Sequence, residues 1–157
     1  MSKRLIAMLV SVMAIAIVAA GCGSSSSDST ETTAALSKAE FIKQGDAICT
    51  KGNQAIETEA NEFAEENNVD TEKPTDAQQE EVITEVVAPA VRKQGEEISE
   101  LGAPSGDEAE VEAIVAAVEG GADELEEDPK LLIEGKNPLA KGSKLADSYG
   151  FKVCGEE

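Results

Sequence analysis

The stretch SKAEFIKQGDAICTKGNQAIETEANEF, Ser37 to Phe63, decides the fold. Ser37 stands three residues before Glu40, the pattern in which a hydroxyl and a carboxylate reciprocally cap a helix start. Phe41, Gly45, Ile48, Gly52, Ile56, Ala60 and Phe63 then follow at steps of three and four. Residues so spaced share one face of an α-helix, so the pattern predicts a first helix over about residues 38 to 66 with a single apolar stripe. Asn67 to Pro74 is mostly polar and ends that helix, and Thr75 after Pro74 offers the next cap.

A second helix is expected from Asp76 to Leu101, with Val82, Ile83, Val86, Val87, Val91, Ile98 and Leu101 facing inward. Pro89 lies in its middle, where it lacks a donor and clashes with the carbonyl of Glu85, so a kink is expected there. Gly102-Ala-Pro104 interrupts the chain, and Ser105 with Glu108 repeats the capping pattern. Val111, Ile114, Val115, Val118, Ala122 and Leu125 make the stripe of a third helix reaching about Glu127, weakened locally by Gly120-Gly121. Asp128-Pro129 and Asn137-Pro138 each set a capping side chain before a proline. The first opens a short turn with Leu131, Leu132 and Ile133; the second opens a last helix with Leu139, Leu145, Ala146 and Tyr149. Gly150 suits a left-handed helix end, and Phe151 folds back on the last turn. No stretch alternates apolar and polar residues as a half-buried strand does. The expectation is an all-α, antiparallel bundle of three to four helices with a kinked second helix, antiparallel because its connections are short.

Outward from the bundle, the N-terminal end has a different composition. Met-Ser-Lys-Arg precedes an apolar run from Leu5 to Ala20. As a helix of about 1.5 Å per residue this run is shorter than a ~30 Å hydrocarbon core, so a cleaved signal is expected rather than a permanent span. Ala19-Ala20-Gly21-Cys22 resembles the lipobox of bacterial lipoproteins, although Ala19 stands where that motif usually has Leu. The resemblance implies a lipid on the thiol of Cys22 and cleavage before it. Val18-Ala19-Ala20 also fits a cut after Ala20, which would leave a soluble secreted product. The Gly-Ser-Ser-Ser-Ser-Asp-Ser-Thr-Glu-Thr-Thr stretch after Cys22 has almost nothing to bury and reads as a flexible tether. The organisation expected is a signal peptide over 1–21, a lipidated cysteine and Ser/Thr-rich linker over 22–35, and a helical domain over 36–157.

The three cysteines are Cys22, Cys49 and Cys154. With a lipid on Cys22, parity leaves Cys49 and Cys154 to pair outside the cytoplasm. The signal, the tether, the Leu-Ser-Lys-Ala-Glu-Phe start, Ala-Ile-Cys49 and Tyr-Gly-Phe-Lys-Val-Cys154-Gly together resemble small lipoproteins of high-GC Gram-positive bacteria. That resemblance implies a location and an architecture, and no activity.

Composition narrows the chemistry. The chain has no histidine and no tryptophan, so His-based nucleophilic triads, His-ligated zinc, Cys-x-x-Cys-His haem attachment and Glu-x-x-His di-iron sites are closed to it. Glycine-rich phosphate loops and calcium-loop motifs are missing as well, and no cofactor is expected. Without residues 1–21 the charge falls from −19 to −21, eleven basic against 32 acidic side chains. Such a surface repels nucleic acid and anionic headgroups, so membrane contact has to come from the lipid at Cys22. Acidic runs at Glu57, Glu59, Glu62, Glu65 and Glu66, at Glu80 and Glu81, and from Glu119 to Asp128 read as solvated helix faces. They keep two alternatives open: a binder of cations or cationic ligands, and a hydrolase built on paired carboxylates. Gly45 and Gly52 either admit a close neighbour or leave space for a small ligand. The expected function is a non-catalytic, lipid-anchored module that is structural or binds a protein or small molecule.

Overall fold

The computed structural model describes residues 35–155. The signal, Cys22 and nearly all of the linker expected from sequence therefore lie outside the described residues. Helix α1 spans Lys38–Glu66, α2 Asp76–Val82, α3 Ala88–Glu100, α4 Glu108–Glu127, α5 Lys130–Ile133 and α6 Ala140–Tyr149. Among the described residues there is no strand.

Both early caps form as their side chains dictate. The Ser37 hydroxyl accepts from the Glu40 N–H while Glu40 accepts from the Ser37 N–H, and Thr75 with Gln78 does the same for α2. The Glu40 carboxyl is accordingly held below its usual range, chiefly by its bonds to Ser37.

The stretch from Asp76 to Glu100 is helical throughout, and at Ile83–Val87 its turn widens into a π-helix. The Ala88 N–H donates to the Ile83 carbonyl, five residues back. Pro89 follows directly. In a regular α-helix its ring would strike the Glu85 carbonyl and leave that acceptor unpaired. The wider turn absorbs this conflict one step upstream, so the irregularity expected at Pro89 takes the form of a π-bulge.

Antiparallel pairing follows from which residues meet. Along α1 and the second helical stretch, Ala64 lies by Ile83, Gly52 by Gln94, and Phe41 clusters with Ile98 and Leu101. From α3 to α4, Arg92 bridges Asp123 and Glu126 at 2.8 and 2.9 Å, and Gly95 faces Val118. From α4 to α6, Gly121 meets Leu139, Val118 meets Gly142, and Asp107 meets Tyr149. A Cβ on Gly121 would come within 2.8 Å of the Pro138 carbonyl oxygen, so this glycine serves close approach inside an unbroken helix.

Two expected caps are corrected. α4 begins at Glu108 with Asp107 as its cap residue, and Ser105 makes no capping bond. Glu108 instead accepts from the Gly106 N–H at 2.9 Å. Asp128 likewise ends α4 rather than opening α5, whose cap position is Pro129. Asn137 does take the Leu139 N–H at 3.0 Å, but the regular α6 starts at Ala140.

The core has two parts. At the end where the chain enters, Phe41, Cys49, Ile98, Val111, Ile114, Ala146, Tyr149 and Phe151 pack together, with Leu36 against them. At the other end Ile83, Ala88 and Leu125 are joined by Leu132, Ile133 and Leu139. Between Cys49 and Phe63, α1 has no fully buried residue, and Ile56 is only half-buried. Phe151→Ala should therefore lower unfolding free energy by about 3–5 kcal/mol, against under about 2 kcal/mol for Ile56→Ala, both measured by urea denaturation of the oxidised protein.

Candidate functional site

The short tail after α6 is held to α1 by a disulfide, a buried ring and a carboxylate. Gly150 takes φ +124°, and the chain turns back so that Phe151 is fully buried over Gly45. A Cβ on Gly45 would collide with the Phe151 ring, so this position admits a close neighbour rather than a ligand. Cys49 and Cys154 are joined by a disulfide across 105 residues of chain. Between them Asp46, one turn before Cys49, turns its carboxylate to the tail. It accepts the Lys152 N–H at 2.9 Å, the Val153 N–H at 2.8 Å and, more distantly, the Cys154 N–H at 3.4 Å. Three successive backbone donors around one anion form a nest.

Beside it, Phe41, Tyr149 and Phe151 stack with ring centroids 5.6 to 6.0 Å apart. The Tyr149 hydroxyl donates to Asp107 at 2.8 Å, while Lys38 lies 3.4 Å from the same carboxylate and 3.7 Å from the Tyr149 ring centroid. Burial, then the bond to Asp107 and its negative charge, hold the phenol well above its ordinary pKa. These contacts secure the chain-entry end, and a space of about 300 Å³ lined by Ala113, Ile114, Leu145 and Tyr149 lies beside them.

Other open spaces lie along the bundle, one of about 420 Å³ beside Ser99, Val111 and Glu119. A groove of about 180 Å³ runs between α1 and α3, lined by Gly52, Ala55, Pro89 and Gln94 with Lys51 and Glu97 at its edge. Gly52 and Pro89 thus meet in one groove, although the Gln94 side chain already occupies the position above Gly52. A gap of about 130 Å³ lies beside the disulfide near Asn53, Gln94 and Ser143. A further groove, of about 310 Å³, lies between the end of α1 and α2 and is walled by Ala60, Ala64, Val69, Pro74, Val82 and Ile83.

The acidic runs are brought together at the end opposite the tail. Glu57, Glu65 and Glu66 lie exposed on α1, Glu81 on α2, and Asp123 to Asp128 at the end of α4. Lys130 reaches Glu80 at 3.9 Å, and Arg92 holds Asp123 and Glu126. Among the described residues no charged side chain is buried, and no group of three acidic or cysteine side chains is placed to hold a metal ion. No helix of the described residues is long and apolar enough to cross a membrane.

No protein-family model, curated protein or solved structure matches the chain.

Sequence reasoning found the cysteine pair, the acidic runs, Gly45, Gly52 and Pro89. Asp46, Asp107 and Arg92 it missed, because each finds its partners on another element. Tyr149 is the only tyrosine, so its titration can be followed by absorbance alone. Folding favours the neutral phenol. Its stabilising contribution is therefore complete below about pH 10 and is lost as pH rises through the elevated folded value. Tyrosinate absorbance should be absent where a free tyrosine ionises, near pH 10, and Asp107→Asn should move the transition to lower pH.

Proposed function

We propose that this chain is a non-catalytic helical module, tethered by a lipid on Cys22 to the extracytoplasmic face of a bacterial membrane, where it binds a partner. The observation that carries this reading is the Cys49–Cys154 disulfide. Such bonds persist in oxidising compartments, and this one uses two of the three cysteines, leaving Cys22 as the odd thiol that acylation would account for. The lipobox-like Ala-Ala-Gly-Cys22 and the serine-rich stretch after it support the same address. Leu36 supports the geometry of a tether, since it packs against the core at one pole and leaves the opposite pole clear of the point of attachment. Histidine-based catalysis is closed by composition, and the exposed acids suit recognition of cationic groups.

A soluble secreted form is the second reading, favoured by Val18-Ala19-Ala20, and one experiment separates the two. Cells expressing the wild-type chain, fed a radiolabelled fatty acid, should yield a labelled protein in the membrane fraction. Cys22→Ser should lose the label and move to the soluble extracytoplasmic fraction. An unlabelled wild-type protein in the medium would replace the tether with secretion.

A further inference from the structure

The groove between the end of α1 and α2 combines an apolar floor with a rim that is acidic but for Lys73. Ala60, Ala64, Val69, Pro74, Val82 and Ile83 line it, and its volume of about 310 Å³ reaches the lower range of ligand cavities, roughly 300 Å³. Asn61 also lines it. On α1, Glu57 and Glu65 lie one helical turn before and after Asn61, on the same line of the surface. Asp70 and Glu72 flank Thr71, Lys73 separates Glu72 from Pro74, and Glu81 directly precedes Val82. All five acids are exposed. From Gly52 to Val91 the chain holds 11 acidic residues and a single basic one, Lys73.

We infer that this groove is a docking site for a cationic amphipathic helix, an apolar stripe seated between α1 and α2 with lysines or arginines against the acidic rim. The floor supplies what a helix-in-groove contact requires, and the rim supplies selection of sign and a faster encounter. A second copy of this chain is a poor occupant, because two such rims would face each other with like charge. An anionic lipid surface is repelled for the same reason. The groove also lies at the pole opposite Leu36, clear of the attachment point. The inference deepens the partner-binding reading and rests on it. It is independent of acylation, so loss of peptide binding leaves the tether standing, and a secreted protein leaves the groove standing.

The test is a titration of the exported full chain with labelled synthetic peptides, read by fluorescence anisotropy. If the chain is membrane-bound it is held in nanodiscs of zwitterionic lipid, with empty nanodiscs as the blank. The first peptide is a helix of about 18 residues with leucines at steps of three and four and lysines elsewhere. The second replaces its leucines by serine, and the third its lysines by glutamate. The first should bind, the second roughly tenfold more weakly or worse, and the third not at all. Binding of the first should weaken between about 0.05 and about 0.5 M salt. Ala60→Arg should reduce its affinity about tenfold or more, and Asn61→Arg, at an exposed position that folding tolerates, should do likewise. Equal binding of the leucine and serine peptides would reduce the contact to charge alone and overturn the proposal. So would unchanged affinity in Asn61→Arg, absence of binding by the first peptide, or a dimer in sedimentation equilibrium that Asn61→Arg abolishes.

Discussion

The residues from Phe151 to Cys154 have no regular secondary structure, yet the chain-entry half of the molecule is organised around their attachment to α1. Three different interactions hold them. The disulfide closes a loop that chain-entropy arithmetic values at up to about 4.7 kcal/mol, the Phe151 ring fills the space that Gly45 leaves, and the Asp46 carboxylate collects backbone donors that α6 can no longer satisfy. That attachment places Phe151 among the aromatic side chains of this end. Phe41 on α1 and Tyr149 on α6 meet edge to face, and the tail drawn across α1 adds Phe151 to them.

The other end is built on less. Its buried cluster is Ile83, Ala88 and Leu125, and the middle of α1 presents only half-buried side chains to it. Small residues bring the helices close there: Ala60, Ala64 and Ala88 make little bulk, and Gly121 lets the Pro138 turn rest on α4. Close backbones with short side chains leave grooves at the surface instead of filling them. Most of the acidic side chains are at this end, so the part with the least core also bears the strongest self-repulsion. Arg92 offsets some of it by taking one carboxylate in each half of its fork.

Periodicity made the helices legible. Val111, Ile114, Ala122 and Leu125 are buried on α4 as their spacing demands, and Ser37 and Thr75 cap as their neighbours demand, because both signals involve partners within one helical turn. Ser105 shows the limit of that logic. Asp107, two residues on, occupies the cap position, and its carboxylate is taken by Tyr149, 42 residues away. Asp46 was invisible for the same reason, its donors lying 106 to 108 residues along the chain. Pro89 announced a disturbance but not its form, since whether a helix bends or widens depends on what packs against it, here Ala88 inside the cluster with Leu125. Of the candidate site, the acidic residues could be read off and the groove beside them could not. A groove is a property of two elements, and Ala60 and Val82 each look like ordinary core positions until they are set side by side.

The cross-link between α1 and the tail also gives the domain a mechanical character. A pull that enters at Leu36 travels along about the first three turns of α1 and arrives at Cys49, where the polypeptide becomes a ring closed through Cys154. Load borne anywhere in that ring, including the whole acidic pole, divides between two arms rather than passing down one strand. Drag on whatever the far end holds would thus meet a stiff loop with a short leader, and the yarn inside it cannot be unravelled from the anchored side past the knot.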